Sequence, residues 1–123
     1  MTPFGAKLRT LRAGRGETLK DMAAALDVSP AYLSALEHGK RGVPTWYMVQ
    51  RIIAHFNVIW DEAEELQRLA EESDPRVTVD TAGLDPAATE LANLLARKIA
   101  GLSKKSLEEL IHRVRAAAAK DDV

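Results

Sequence analysis

The side chains able to do chemistry cluster in the first half of the chain, and they are cations and hydroxyls rather than a catalytic set. Over residues 1–60, Lys7, Arg9, Arg12, Arg15, Lys20, Lys40, Arg41 and Arg51 stand against only Glu17, Asp21, Asp27 and Glu37. A local excess of positive charge suits a polyanion, with hydroxyls such as those of Ser29, Tyr32 and Ser34 able to add directed hydrogen bonds. An enzyme needs a constellation, and none can be assembled. His38, His55 and His112 are far apart in sequence, and no His-Glu-x-x-His, nucleophile elbow or phosphate-cradling glycine loop occurs. Glu64, Glu65, Glu71 and Glu72 read as the wet face of a helix rather than as paired catalytic carboxylates. The absence of cysteine removes disulfides, thiol nucleophiles and thiolate zinc sites. No catalytic residue, metal or cofactor is expected.

The elements that must position these groups are helical. The chain of 123 residues, 46% hydrophobic and 28% charged, is long enough for one compact domain with an appendage. Phe4, Leu8 and Leu11 have helical spacing, and Gly14 to Gly16 stop it. Thr18 caps a short second helix, with Asp21 as an acidic variant of the capping box and Leu19, Met22, Ala23 and Leu26 on one face. After Asp27 and Val28, Ser29 caps a third helix that Pro30 opens and Gly39 ends, with Leu33 and Leu36 toward the core. Pro44 and Thr45 open a fourth through Trp46, Val49, Ile52, Ile53 and Phe56. A fifth carries Trp60, Ala63, Leu66, Leu69 and Ala70.

Two short helices joined by a tight turn, the second capped by Ser-Pro and ended by Gly, describe a helix-turn-helix. The Arg-rich first helix, the Thr-capped second, the string SPAYLSALEHGKR at 29–41 and the Pro-opened fourth together resemble the phage repressor and Cro-like family. This is the xenobiotic-response-element (XRE) type of helix-turn-helix, and the resemblance covers roughly residues 4–58.

That resemblance implies DNA as partner and the third helix as its reader. Such a helix must present short side chains to a major groove about 12 Å wide while its other face anchors in the core. Ser29, Pro30, Ala31, Tyr32, Ser34, Ala35 and His38 are the base-reading candidates, although His38, at a helix end, also suits the macrodipole. Family positions that often carry Gln hold Leu19, Pro30, Ala31 and Ala35 here, so adenine readout by side-chain amides is not available. Specificity is expected from Tyr32, the serines, thymine-methyl contact and DNA shape. Phosphate candidates are Thr18, Lys20, Lys40, Arg41 and the first turn of the fourth helix at Thr45, Trp46 and Tyr47. The indoles of Trp46 and Trp60 read as core or interface aromatics rather than base-stacking platforms. The same resemblance pairs Arg12 with Glu37 as a brace for the third helix.

Beyond Glu72 the pattern changes. Residues 1–72 are expected to form the DNA-binding domain, 73–84 a linker and 85–123 a helical hairpin. Within the linker, Val77 to Val79 is the one credible strand. The hairpin carries Leu91, Leu94, Leu95 and Ile99 on one helix and Leu107, Leu110, Ile111 and Val114 on the next, stripes that need a partner, either the N-terminal domain or the same hairpin of a second subunit. The expected fold is therefore all-α: a five-helix repressor-like domain, a short strand and a two-helix dimerisation hairpin, with Val77 and Val79 pairing across the two-fold axis. Two recognition helices about 34 Å apart would then meet a near-palindromic operator. The expected function is a dimeric transcriptional repressor, its own promoter among the targets. An interaction protein such as an antitoxin, docking a partner on the hairpin, is the alternative. The N-terminus lacks a signal-peptide core and no apolar run could cross a membrane, so the cytoplasm is the expected location.

Overall fold

The computed structural model describes residues 1–122 and is all-helical over them. The chain divides into two compact units, residues 1–77 and 78–123.

The first unit holds α1 (Pro3–Arg15), α2 (Leu19–Ala25), α3 (Pro30–Glu37), α4 (Trp46–Phe56) and α5 (Trp60–Glu71). Local chemistry sets most of their ends. Thr2, Thr18, Ser29 and Thr45 each accept the backbone N–H three residues on, and Pro follows Thr2 and Ser29 where its missing N–H costs nothing. The Thr18–Asp21 capping box is complete in both directions. The expected start of α4 at Pro44 moves to Trp46, because Thr45 takes the cap. Asp27 and Asn57 turn the chain in the left-handed region, as short polar side chains tolerate. Phe4 and Leu8 of α1, Met22 and Ala23 of α2, Leu33 and Leu36 of α3, Val49 and Ile52 of α4, and Leu66 and Ala70 of α5 close one core. The unit extends past Glu72: buried Ser73 donates to the Leu69 carbonyl and accepts the Phe4 N–H at 3.1 Å.

The second unit holds α6 (Pro86–Lys98), a single 3-10 turn (Ile99–Gly101) and α7 (Lys104–Asp121). Asp85 and Ser103 cap the two helices as their types demand. Neither helix has a buried residue among those described.

Two expectations are corrected. Val77 to Val79 is no strand: the segment has no regular structure, and both valines are exposed. Three residues with no neighbouring ladder have nothing to hydrogen-bond, so β-forming residue types alone do not make a strand. Of the core or interface places expected for Trp46 and Trp60, the core is ruled out, since they are 73% and 81% exposed. Each occupies the first position of its helix, ahead of the stripe that Val49 and Ile52 or Leu66 and Ala70 bury.

Candidate nucleic-acid interface

Helix α3 is anchored along its rear and at its C-terminal end while its N-terminal half stays open. Ser29, Pro30 and Ala31 are exposed, and Tyr32, Ser34 and Ala35 are half-buried, whereas Leu33, Leu36 and Glu37 are buried. The Ser29 hydroxyl fixes the start by accepting the Tyr32 N–H at 3.0 Å. At the other end Gly39, at φ 77°, closes a Schellman motif: Lys40 N–H donates to the Ala35 carbonyl at 2.9 Å and Gly39 N–H to Leu36 at 3.2 Å. Glycine is required there twice over, since a Cβ would also stand 2.8 Å from the Thr2 methyl.

Behind α3 sits the expected brace. One Arg12 nitrogen donates to both Glu37 oxygens, at 2.5 and 3.0 Å, and both side chains are buried. Beside it is a set of contacts that no spacing rule revealed. Thr2 donates its N–H and its hydroxyl to the Glu37 carbonyl, each at 3.1 Å. Gly5 allows α1 to approach so closely that a Cβ there would lie 2.1 Å from that same oxygen. The Thr2–Pro3 pair, matching Ser29–Pro30, was the signal that could have found the cap, but nothing local pointed to its second partner.

The phosphate candidates are all on the surface. Thr18, Lys20, Lys40, Arg41, Thr45, Trp46 and Tyr47 are exposed. The Thr45 cap takes the Met48 N–H at 3.1 Å, and the first-turn N–H groups of Trp46 and Tyr47 have no intrahelical acceptor. The Thr18 backbone N–H first, and its hydroxyl second, hold the Asp21 carboxyl below its usual value, so the α2 cap stays ionised near neutrality. His38 is exposed but turned back: its Nδ1–H donates to the Ser34 carbonyl at 2.8 Å, which fits the helix-end reading.

The structure also thins the positive charge that the sequence displays. Arg12 is spent on Glu37, and Arg51 donates to the Leu26 carbonyl at the end of α2 while lying over the Tyr47 ring. Arg15 donates to the His55 carbonyl at 2.7 Å, beside a His55–Glu17 contact of 2.6 Å. Lys7 faces Glu62 and Glu65 at 3.5 and 4.0 Å. Among the described residues, Arg9, Lys20, Lys40 and Arg41 are exposed and form no ion pair. Three of these four, Lys20, Lys40 and Arg41, are phosphate candidates.

In the second unit, Leu95 and Ile99 face Leu107, Leu110, Ile111 and Val114 across an open apolar groove, and Leu91 and Leu94 are also exposed.

The chain is similar to known helix-turn-helix proteins. Residues 3–67, which span α1 to most of α5, match the model of a helix-turn-helix domain. The uncharacterized HTH-type transcriptional regulator RghRB of Bacillus subtilis (strain 168) is 27% identical over 121 aligned residues, covering 89% of this chain and 87% of that protein. The HTH-type transcriptional repressor RghR of the same organism is 48% identical over 44 residues, 36% of this chain and 33% of its own length. Among solved structures, a chain of the SinR protein/SinI protein complex covers 94% of this chain and 98% of its own, at 21% identity and a TM-score of 0.46.

Proposed function

Because the chain belongs to the Cro/XRE-type helix-turn-helix family of DNA-binding transcriptional regulators, which are not enzymes, we propose that it is a dimeric repressor of a near-palindromic operator, its own promoter included. The observation that carries this reading is the asymmetry of α3, open along its N-terminal half and clamped behind by Glu37, Thr2 and Gly39. A rigid helix with small exposed side chains enters the major groove without an ordering cost.

In this reading Ser29, Pro30, Ala31, Tyr32, Ser34 and Ala35 face base edges, by hydroxyl hydrogen bonds and thymine-methyl contact. Thr18, Lys20, Lys40, Arg41 and the first turn of α4 at Thr45, Trp46 and Tyr47 fix the register on phosphates. The hairpin supplies the dimer through Leu91, Leu94, Leu95, Leu107, Leu110, Ile111 and Val114, which places two α3 helices about one helical turn apart. The similarity to RghR, a transcriptional repressor, supports the sign of regulation. No described helix is long and apolar enough to cross a membrane, and the cytoplasm is the compartment where such a regulator meets its operator.

The test is a fluorescence-anisotropy titration of the protein against its own upstream DNA and a random duplex of equal length, at two salt concentrations. A preference of about a thousandfold that survives the higher salt is the expected result. Equal, steeply salt-sensitive binding to both overturns autoregulation. No binding to either favours the reading in which the open hairpin groove takes a partner protein.

A further inference from the structure

The exposed half of α3 lacks a group that can discriminate a base through two hydrogen bonds at once. Ser29, Ser34 and the Tyr32 phenol offer single hydroxyls, and Pro30, Ala31 and Ala35 offer none. The missing chemistry arrives from outside the helix. Arg41 lies in the loop after α3, between two left-handed glycines, Gly39 at φ 77° and Gly42 at φ 73°. This loop folds back so that the Arg41 guanidinium sits over the Tyr32 ring, 5.4 Å from its centroid. The Tyr32 ring is half-buried and packs against the core, and its backbone N–H is held by the Ser29 cap.

A guanidinium on an aromatic face uses its π surface for the contact and keeps its edge N–H groups free, in a rigid fork that matches two acceptors. Arg41 is exposed and among the described residues pairs with no carboxylate, so that edge is not already spent. Guanine is the base whose major-groove edge offers two acceptors, O6 and N7, and Arg is their best-matched partner. Lys40, next in the chain, carries only a point charge and suits a phosphate.

We propose that Arg41, carried on Tyr32, reads one guanine in each half-site, and that Tyr32 acts as its positioning residue. The reading above keeps Arg41 among the phosphate contacts; its place over the Tyr32 ring of α3 replaces that role with one at the base edges. The inference rests on the sequence-specific DNA binding proposed above.

The experiment begins by selecting preferred duplexes from a random pool with the full-length protein, then replacing each guanine of the selected site by 7-deazaguanine, which removes N7, or by inosine, which keeps both acceptors. One guanine per half-site is expected to lose about 10- to 100-fold in affinity with 7-deazaguanine and little with inosine. In Arg41→Ala the 7-deazaguanine penalty disappears, and Arg41→Lys loses the guanine preference while keeping charge. Tyr32→Phe keeps the 7-deazaguanine penalty at that guanine, whereas Tyr32→Leu lowers it. The Arg41 variants carry the decision, because an exposed loop side chain can be removed without touching the core. If every guanine tolerates 7-deazaguanine, or if Arg41→Ala weakens selected and random duplexes equally and reduces the salt slope by about one, Arg41 is a phosphate contact and the proposal falls alone. A pool that yields no enriched sequence removes sequence-specific binding itself and this proposal with it.

Discussion

The two units are built from the same helical grammar and reach opposite ends of the burial scale. In residues 1–77, Phe4, Leu8, Leu33, Ile52 and Leu66 are fully enclosed. In residues 78–123, Leu91, Leu94, Ile111 and Val114 are 52%, 45%, 49% and 60% exposed, although their spacing is as regular and their helices as well capped. Capping and periodicity make a helix; they do not enclose it. Enclosure needs enough neighbours, and five short helices supply each other where two cannot. The contrast also divides the labour. The enclosed unit can hold α3 to a fixed geometry, while the open one leaves its apolar stripe uncovered.

Removing the buried anion should have the largest effect on this contrast. Glu37→Ala leaves the Arg12 guanidinium buried without a counter-charge and is expected to cost about 3–5 kcal/mol. Urea unfolding followed by circular dichroism reads this as a lower midpoint, and a shift below 1 kcal/mol would mean the brace is unimportant. Gly5→Ala comes next. The new methyl would collide with the Glu37 carbonyl, and prying α1 from α3 should cost about 1–3 kcal/mol in the same assay, with operator binding lost first.

In the open unit, Ile111→Asp is expected to convert the dimer to monomer in sedimentation velocity. It should leave the unfolding of the first unit within about 0.5 kcal/mol of wild type. A fully monomeric wild type, or an unchanged assembly in the variant, would count against the hairpin as the dimer interface. The smallest effect belongs to the α2 cap. Asp21 has a folded-state pKa below the ordinary 3.8, so its ionised form favours the folded state. That contribution is fully present above the unfolded value and is lost as pH falls through the lower folded one. The gap between wild type and Asp21→Ala in thermal midpoint should therefore be constant near neutrality and close below about pH 4. A gap that persists in stronger acid would assign the effect to packing rather than charge.

What could be read in advance followed the range of the interactions. Thr18, Ser29, Thr45 and Ser103 act on an N–H three residues away, Gly39 ends α3 through its own backbone freedom, and Leu33 and Leu36 answer to helical period. Such signals lie within a few residues of one another, so residue type and spacing carry them. The Arg12–Glu37 brace, 25 residues apart, was accessible only because a family resemblance named it. The contacts of Thr2 with Glu37, Arg51 with Leu26 and His55 with Glu17 span 35, 25 and 38 residues with no local mark, and folding alone brought them together.

Exposure failed to follow from type for a related reason. Trp46, Trp60, Val77 and Val79 carry apolar surface that the hydrophobic effect would bury, but burial depends on a neighbour being present at that point in space. The helices, most of their ends and the open N-terminal half of α3 were thus settled in the order of residues, because they depend on near neighbours. The contacts of Thr2 and Gly5 with Glu37 and the placement of Arg41 over Tyr32 emerged only on folding, because each depends on which separate surfaces meet.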